Sequence, residues 1–436
     1  MVDNWFLGQS TSHPLQLLPQ ALLSFCFPNH TLPQNHRSGD ASAYEALKRI
    51  LTGDNVKAFL HEYRHFHSHW PLIHTATFDP LSANHGLVLA MCCVGAVYSD
   101  RVGPKEVRWL MGLVRACVLR SSQVYQLVQM QENIDLHNNM SAITEELHAL
   151  VLLHSLFLWH GSQKQRQQGR EEFWALANVT RRAGLLQPLP RENLHASALH
   201  QPGPVTGDEV SSWDWASWVQ NETRSRLMAY IFLIDASSTI FFNTPPQFDV
   251  NEIHIPLPAD DAAWDAKTAE ECASALGLRG VAAQGKNESG SRRAKQLDMS
   301  ESLQVLYGNG HGHGHFPERA TNVFGKFGKC YTMHFLGYHT YGWPQFSYMR
   351  STFRSITSSD CFFGECLRAV QAPLSLKTEA LYLRLSGLVS KRSNCFDRQS
   401  VRLSYGRGAG MQISRPNSRR TSVVWGSVEM VSTSTS

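Results

Sequence analysis

The stretch ETRSRLMAYIFLIDASSTIFFNTPPQF, residues 222–248, constrains the fold more than any other part of the chain. Placed on a helical wheel at about 100° per residue, Tyr230, Ile231, Ile234, Ser238 and Phe241 fall within roughly 60° of Leu227. That is one core-facing stripe on one long helix. Pro245 and Pro246 lack N–H donors, so the helix must stop there and the chain must extend. Four charges interrupt the stretch: Glu222, Arg224, Arg226 and Asp235. Arg224 and Asp235 share one edge of the stripe but lie about 16 Å apart along the axis. They cannot pair with each other, and each is expected to bond to a different neighbouring helix. Glu222 and Arg226 stand at i,i+4 on the other side, where an ordinary ion pair is expected, worth a few tenths of a kcal/mol if exposed. The reading is that these charges fix helix register and do no chemistry.

The flanking text supplies partners for such a helix. NVKAFLHEYRHFHSHW opens at Asn55, a candidate N-cap, and carries Phe59, Tyr63, Phe66 and Trp70 at helical spacing before Pro71 stops it. NHGLVLAMCCVGAVYS is apolar nearly throughout and reads as a helix buried on most sides. GPKEVRWLMGLVRACVLRSSQVYQLVQM opens with Pro104 in its first turn and reads as one long helix. LHALVLLHSLFLWHG is apolar but too short to span a bilayer and holds two internal histidines, so it reads as a core helix. GREEFWALANVTRRAGLL places acids early, Arg181 and Arg182 late, and Gly184 as its C-cap. EIHIPLPADDAAW is extended until Trp264. Strand patterns are few, so the expected fold class is all-α.

Around this body the text loosens. Residues 1–42, rich in Pro, Asn, His and Ser, read as an irregular leader. The body is assigned to 43–343, with a solvated loop at about 275–316. Residues 344–436 read as a low-order tail. From Tyr341 onward 13 Lys/Arg face 5 Asp/Glu, leaving 27 against 31 in the rest. A basic tail thus follows a mildly acidic body, and the net charge of +4 carries no global case for nucleic acid. Nine scattered cysteines do not make a disulfide framework and favour a reducing compartment. The start MVDNWFLGQS has no basic region and does not read as a signal peptide.

Motifs for chemistry are few. HEYRH, residues 61–65, satisfies HExxH on a helix: His61 and His65 would share a face for zinc, with Glu62 as general base. A third ligand is missing; Ser68 and Pro71 stand where an extended metzincin pattern needs Gly and His. A zinc hydrolase using His61, Glu62 and His65 is the alternative reading, and a chance match in His-rich text is preferred. His65, His67, His69 and His74 suggest a metal patch, with a polar helix face and a partly buried His74 as the plainer reading. His311, His313 and His315 lie in a Gly/His run. Cys361 and Cys366 lack a second pair. No nucleophile elbow, Walker loop or dinucleotide fingerprint occurs. No catalytic, cofactor or metal residue is assigned.

Four blocks in order carry a family resemblance: FLHEYRHFHSHWPLIHTATF, FWALANVTRRAGLL, WDWASWVQNETRSRLMAYIFLIDASSTIFFNTPP and EIHIPLPADDAAWDA. Together they resemble the fungal-specific transcription factor domain, or middle homology region, over about residues 43–343. Its structural signature here comprises His74, Glu222, Arg224, Arg226, Asp235, Pro245 and Pro246. The resemblance implies an all-helical, non-enzymatic regulatory domain of a nuclear transcription factor, with co-regulators or a dimer partner, no membrane, and DNA reached through a zinc module. This chain shows no cluster of closely spaced cysteines and no Cys/His finger, so zinc is expected only in a module outside it. A DNA-blind competitor for partners is a further reading. The runs SRRAK and RPNSRR match nuclear-import patterns but read more plainly as solvated linker.

Overall fold

The computed structural model describes residues 13–28, 38–132, 140–201, 207–242, 244–278 and 298–299. The linker from 279, the Gly/His run, Cys361, Cys366 and the tail from 344 lie outside the described residues. Among the described residues the fold is all-α. In chain order the helices are α1 (His13–Cys26), α2 (Ser38–Ile50), α3 (Gly53–His67), α4 (His85–Tyr98), α5 (Pro104–Ser121), α6 (Gln123–Gln129), α7 (Met140–His160), α8 (Gln163–Arg182), α9 (Gly207–Ser211), α10 (Trp215–Phe242), α11 (Asp261–Trp264) and α12 (Ala269–Ala275). Single 3-10 turns occupy Ala198–His200 and Val250–Glu252.

α4 is the axis of the main core. Every residue from Gly86 to Ala96 is buried, as the near-continuous apolar run requires. α3, α5 and α7 pack around it, and α8 covers α7. The crossing of α3 and α4 is so close that a Cβ built on Gly95 would sit 1.8 Å from the Phe59 carbonyl oxygen. Only glycine lets the two backbones approach this way.

Several boundaries differ from expectation, each for a local reason. Part of the 1–42 leader is not irregular: α1 buries Leu18, Leu22, Leu23 and Cys26 in the main core. Pro19 lies inside this helix and masks the pattern, but packing outweighs the one lost hydrogen bond. Asn55 is not the cap of α3. Thr52 is, accepting the Asn55 N–H at 3.2 Å, while the Asn55 side chain donates to the Ile50 carbonyl. The long helix expected from Pro104 breaks at Ser122, whose hydroxyl caps α6 and donates to Glu146 at 2.7 Å. α8 begins earlier than expected, at Gln163, capped by Ser162. Its acids therefore sit mid-helix. Gly184 takes the positive φ of 63° expected of a C-cap. α7 is longer than its apolar centre suggested. By length and composition it could cross a membrane, but most of its surface is buried inside the fold.

A second, smaller core gathers Leu199, Trp218, Val219, Ala263, Trp264 and Cys272 with their neighbours. α10 runs through both cores. Trp218 and Val219 serve the smaller one, and residues from Leu227 to Ile234 serve the larger.

Candidate functional site

Between those two sets of contacts α10 carries Glu222, Arg224 and Arg226, at 0–1% exposure, and Asp235 further along the helix is as deeply buried. Asp214 accepts the Ser217 N–H at 2.7 Å and fixes the start of the helix. Its 28 residues then extend about 42 Å. The charged heads at the edge of the stripe are paired and buried, because other segments cover α10 here.

Glu222 and Arg226 are therefore more than an ordinary helical pair. Arg226 Nε donates to Glu222 Oε1 at 2.8 Å. Its remaining donors reach the Pro71 carbonyl at 3.3 Å, the Ala259 carbonyl at 3.1 Å and Asp261 at 2.9 Å. Glu222 Oε1 also accepts the Ala259 N–H at 2.8 Å, and Oε2 meets His200 Nε2 at 3.3 Å. Burial opposes the charge on Glu222, but His200 and the Arg226 guanidinium hold its carboxyl below the ordinary range. The guanidinium also lies 4.4 Å above the Trp264 ring, a stacked cation–π contact. One pair thus ties α10 to the segment that follows α3 at Pro71, to the 198–200 turn and to the extended strap around Ala259.

His74 belongs to the same cluster. Its Nδ1 bonds Thr77 Oγ1 at 2.8 Å, and its ring stands edge-on to Trp264 and Trp215. Burial, and after it the charge of Arg226, pushes the imidazole down to about 4, so it is neutral.

Arg224 and Asp235 do not pair; Arg224 reaches a neighbouring helix through Met140 at the start of α7, and the other partners of both are backbone groups of turns and loops. Arg224 donates to the Gly184 and Gln187 carbonyls at 2.7 and 3.0 Å, and to Met140 Sδ at 2.9 Å. It caps the turn that leaves α8. Burial lowers its pKa to about 10, which leaves it charged. Asp235 accepts the backbone N–H groups of Gln247 and Phe248 at 2.9–3.1 Å. It grips the loop that immediately follows Pro245 and Pro246. Pro245 places its carbonyl 3.1 Å from the Gln247 amide. Arg181 completes this corner through Glu252 and the Gln247 carbonyl, with its guanidinium over Phe248.

The HEYRH residues are not drawn into this cluster. Glu62 bonds His65 at 3.0 Å on an exposed face. The four-histidine patch divides: His65 and His69 are exposed, while His67 and His74 are buried. Among the described residues no group of three or more His, Cys, Asp or Glu is placed to hold a metal. Both Glu222 oxygens are already engaged, by Arg226, the Ala259 N–H and His200, so Glu222 is committed to structural bonds.

Sequence reasoning did not find His200, Ala259 or the Arg226 contact with Asp261. Asp261 was visible inside PADDAAW, the only trace of the partnership. His200 carries no local signal.

These features define a class: an all-helical module whose buried charges are spent on holding its own segments together. The chain belongs to the fungal specific transcription factor domain family, whose model matches residues 59–277. It is similar to Transcription factor 1 of Elsinoe fawcettii, 26% identical over 63% of this chain and 27% of that protein. Zinc finger protein klf1 of Schizosaccharomyces pombe is 24% identical over 53% of this chain and 27% of its own length. A nicotinate catabolism cluster-specific transcription factor of Emericella nidulans is 25% identical over 48% of this chain and 22% of its own length. The chain thus spans about a quarter of the length of these curated relatives. No solved structure matches it significantly.

Proposed function

We propose that this chain is a regulatory module of a fungal transcription factor, acting in the nucleus through protein contacts and without enzymatic activity. Family membership over residues 59–277 is the observation that carries the reading. The geometry of α10 supports it: Glu222, Arg224, Arg226 and Asp235 are all committed to structural bonds. On this reading DNA is reached through a zinc module of the kind named in the zinc finger relatives, and the helices themselves need no metal or other cofactor. Co-regulators or a dimer partner are the binding partners. The test joins the full chain to a heterologous DNA-binding domain over a reporter, with a fluorescent tag for localisation. Altered reporter output together with nuclear signal is expected. Unchanged output at normal protein levels would overturn the proposal.

A further inference from the structure

The last residues of α4, α7 and α10 meet the first turns of α5 and α8 on one surface. Tyr98 and His160 stand ring to ring at 6.5 Å, and Trp159 packs on Phe242 at 5.5 Å. The Arg170 guanidinium lies 5.1 Å from the centre of the Phe242 ring. Arg166 donates to the Gly161 carbonyl at 2.7 Å. Gln165 donates to the Arg108 carbonyl at 2.9 Å, which joins α8 to the start of α5. Two large rings on this surface are open to solvent: Tyr98 is 45% exposed and Trp159 41%. Exposed Trp and Tyr in one patch are typical anchors of a binding surface.

The charges around these rings are mostly of one sign. Arg108 and Lys164 are exposed, and Arg166 and Arg170 are half-buried. Among the described residues none of the four pairs with a carboxylate. Of the acids nearby, Glu106 holds the Gly103 N–H and Glu171 the Gln167 amide, while Asp100 is exposed beyond Tyr98. Lys164 and Arg166 also stand at the start of α8, whose first turn has no acid. That end of a helix is already the positive end of its dipole, where acids stabilise and cations do not. Folding thus leaves an uncompensated positive field beside open aromatic rings. An anionic partner relieves the first, and apolar side chains cover the second.

We propose, resting on the reading of this chain as a module that acts through protein contacts, that this surface docks an acidic peptide segment carrying leucine or aromatic side chains. Its carboxylates would lie on Arg108, Lys164, Arg166 and Arg170, and its apolar side chains on Tyr98 and Trp159. Charge selects the occupant. The chain from Tyr341 onward carries 13 Lys/Arg against 5 Asp/Glu, so it does not supply such a segment. The rest of the chain, at 27 against 31, is acidic on balance, which disfavours an extended polyphosphate.

The probe is a fluorescein-labelled peptide of Asp, Leu and Phe, about four helical turns long. It is compared with one in which Lys replaces Asp, one in which Ser replaces Leu and Phe, and a single-stranded oligonucleotide of similar length. Fluorescence anisotropy on the purified full chain reports binding, so its failure and a failure of the reporter experiment are told apart. Saturable binding of the acidic apolar peptide is expected, weakening as salt rises, with the other three at least about tenfold weaker. Trp159→Ala should weaken it about tenfold. The double variant Arg108→Glu with Lys164→Glu should weaken it at least as much. Lys164→Glu places an acid in the first turn of α8, so thermal stability should hold or rise while binding falls. No saturation, equal binding of the Ser peptide, or unchanged binding in the double variant would each overturn the proposal. Tighter binding of the oligonucleotide would overturn it in favour of nucleic acid. A dimer seen by light scattering and lost in Trp159→Ala would overturn it in favour of a second copy. If Trp159→Ala does not fold, the charge variants and the peptide series decide.

Discussion

Glu222 and Arg226 face each other across 2.8 Å of a single helix, and neither side chain has any exposed surface. Pairs at this spacing on exposed helices contribute only tenths of a kcal/mol. Here the same spacing sits in a desolvated site, where the cost of losing one partner is the burial of an uncompensated charge. Arg226→Met is expected to destabilise the fold by about 3–5 kcal/mol, and Glu222→Leu by a similar amount. The double variant should cost clearly less than the two together, with a coupling of up to about 3 kcal/mol. Urea denaturation of the four proteins measures this. Additive losses below about 1 kcal/mol each would contradict a buried network.

Gly95 is the second position where one atom decides the architecture. A methyl group there would point into the Phe59 carbonyl, a backbone atom that cannot rotate away. α3 and α4 would have to separate. Overpacking of a core costs about 1–3 kcal/mol and sometimes more, and Gly95→Ala is expected at or above the top of that range. Gly103→Ala is the control, because its Cβ would meet nothing closer than 3.6 Å. A loss of thermal stability confined to Gly95→Ala is the expected result.

Four buried histidines set the acid limit of the fold. Burial pushes His67, His74 and His148 down to about 4 and His154 to about 3. Arg226 adds to the effect at His67 and His74, and Arg115 at His154. Unfolded histidine titrates near 6.5. Between about pH 6.5 and 4 the unfolded chain takes up protons that the folded chain refuses, so stability is full above that window and falls as pH drops through it. His67→Phe removes one of these groups. Its stability should lose up to about 1.4 kcal/mol less per pH unit than the wild type in that window. Urea midpoints at half-unit steps will show it, and parallel curves would remove His67 from the account.

The all-α class, the end of α10 at the double proline and the C-cap at Gly184 were legible because each rests on local chemistry. Periodicity and missing N–H groups act within one or two turns. The burial of Arg226 was not legible, because its partners come from elsewhere in the chain. Pro71 lies 155 residues away and Asp261 35. A helical wheel places a charge on an edge but cannot say whether another segment covers that edge. The strap near Ala259 covers it here. α1 was missed for the opposite reason: Pro19 is a strong local signal, and the tertiary packing of Leu22 and Leu23 overrides it.

Asp235 titrates in the opposite sense to the histidines, which allows the two to be separated. Burial pushes its carboxyl up to about 7, against the pull of the Phe248 and Gln247 N–H groups and of Arg181, with Glu252 adding to the rise. Unfolded aspartate titrates near 3.9. Between about pH 4 and 7 the folded chain holds a proton that the unfolded chain releases. Its stabilising contribution is therefore complete below about pH 4 and is lost as pH rises toward 7. Asp235→Asn cannot titrate but keeps an oxygen to accept from the 247–248 backbone. The stability of the wild type minus that of Asp235→Asn should decline from pH 4 to 7, by at most about 1.4 kcal/mol per unit, and level off above. The subtraction cancels the histidines, which are common to both proteins. A carboxyl carbon resonance for Asp235 that titrates near pH 4 would refute this, and would mean that the backbone N–H groups outweigh burial at the corner after Pro246.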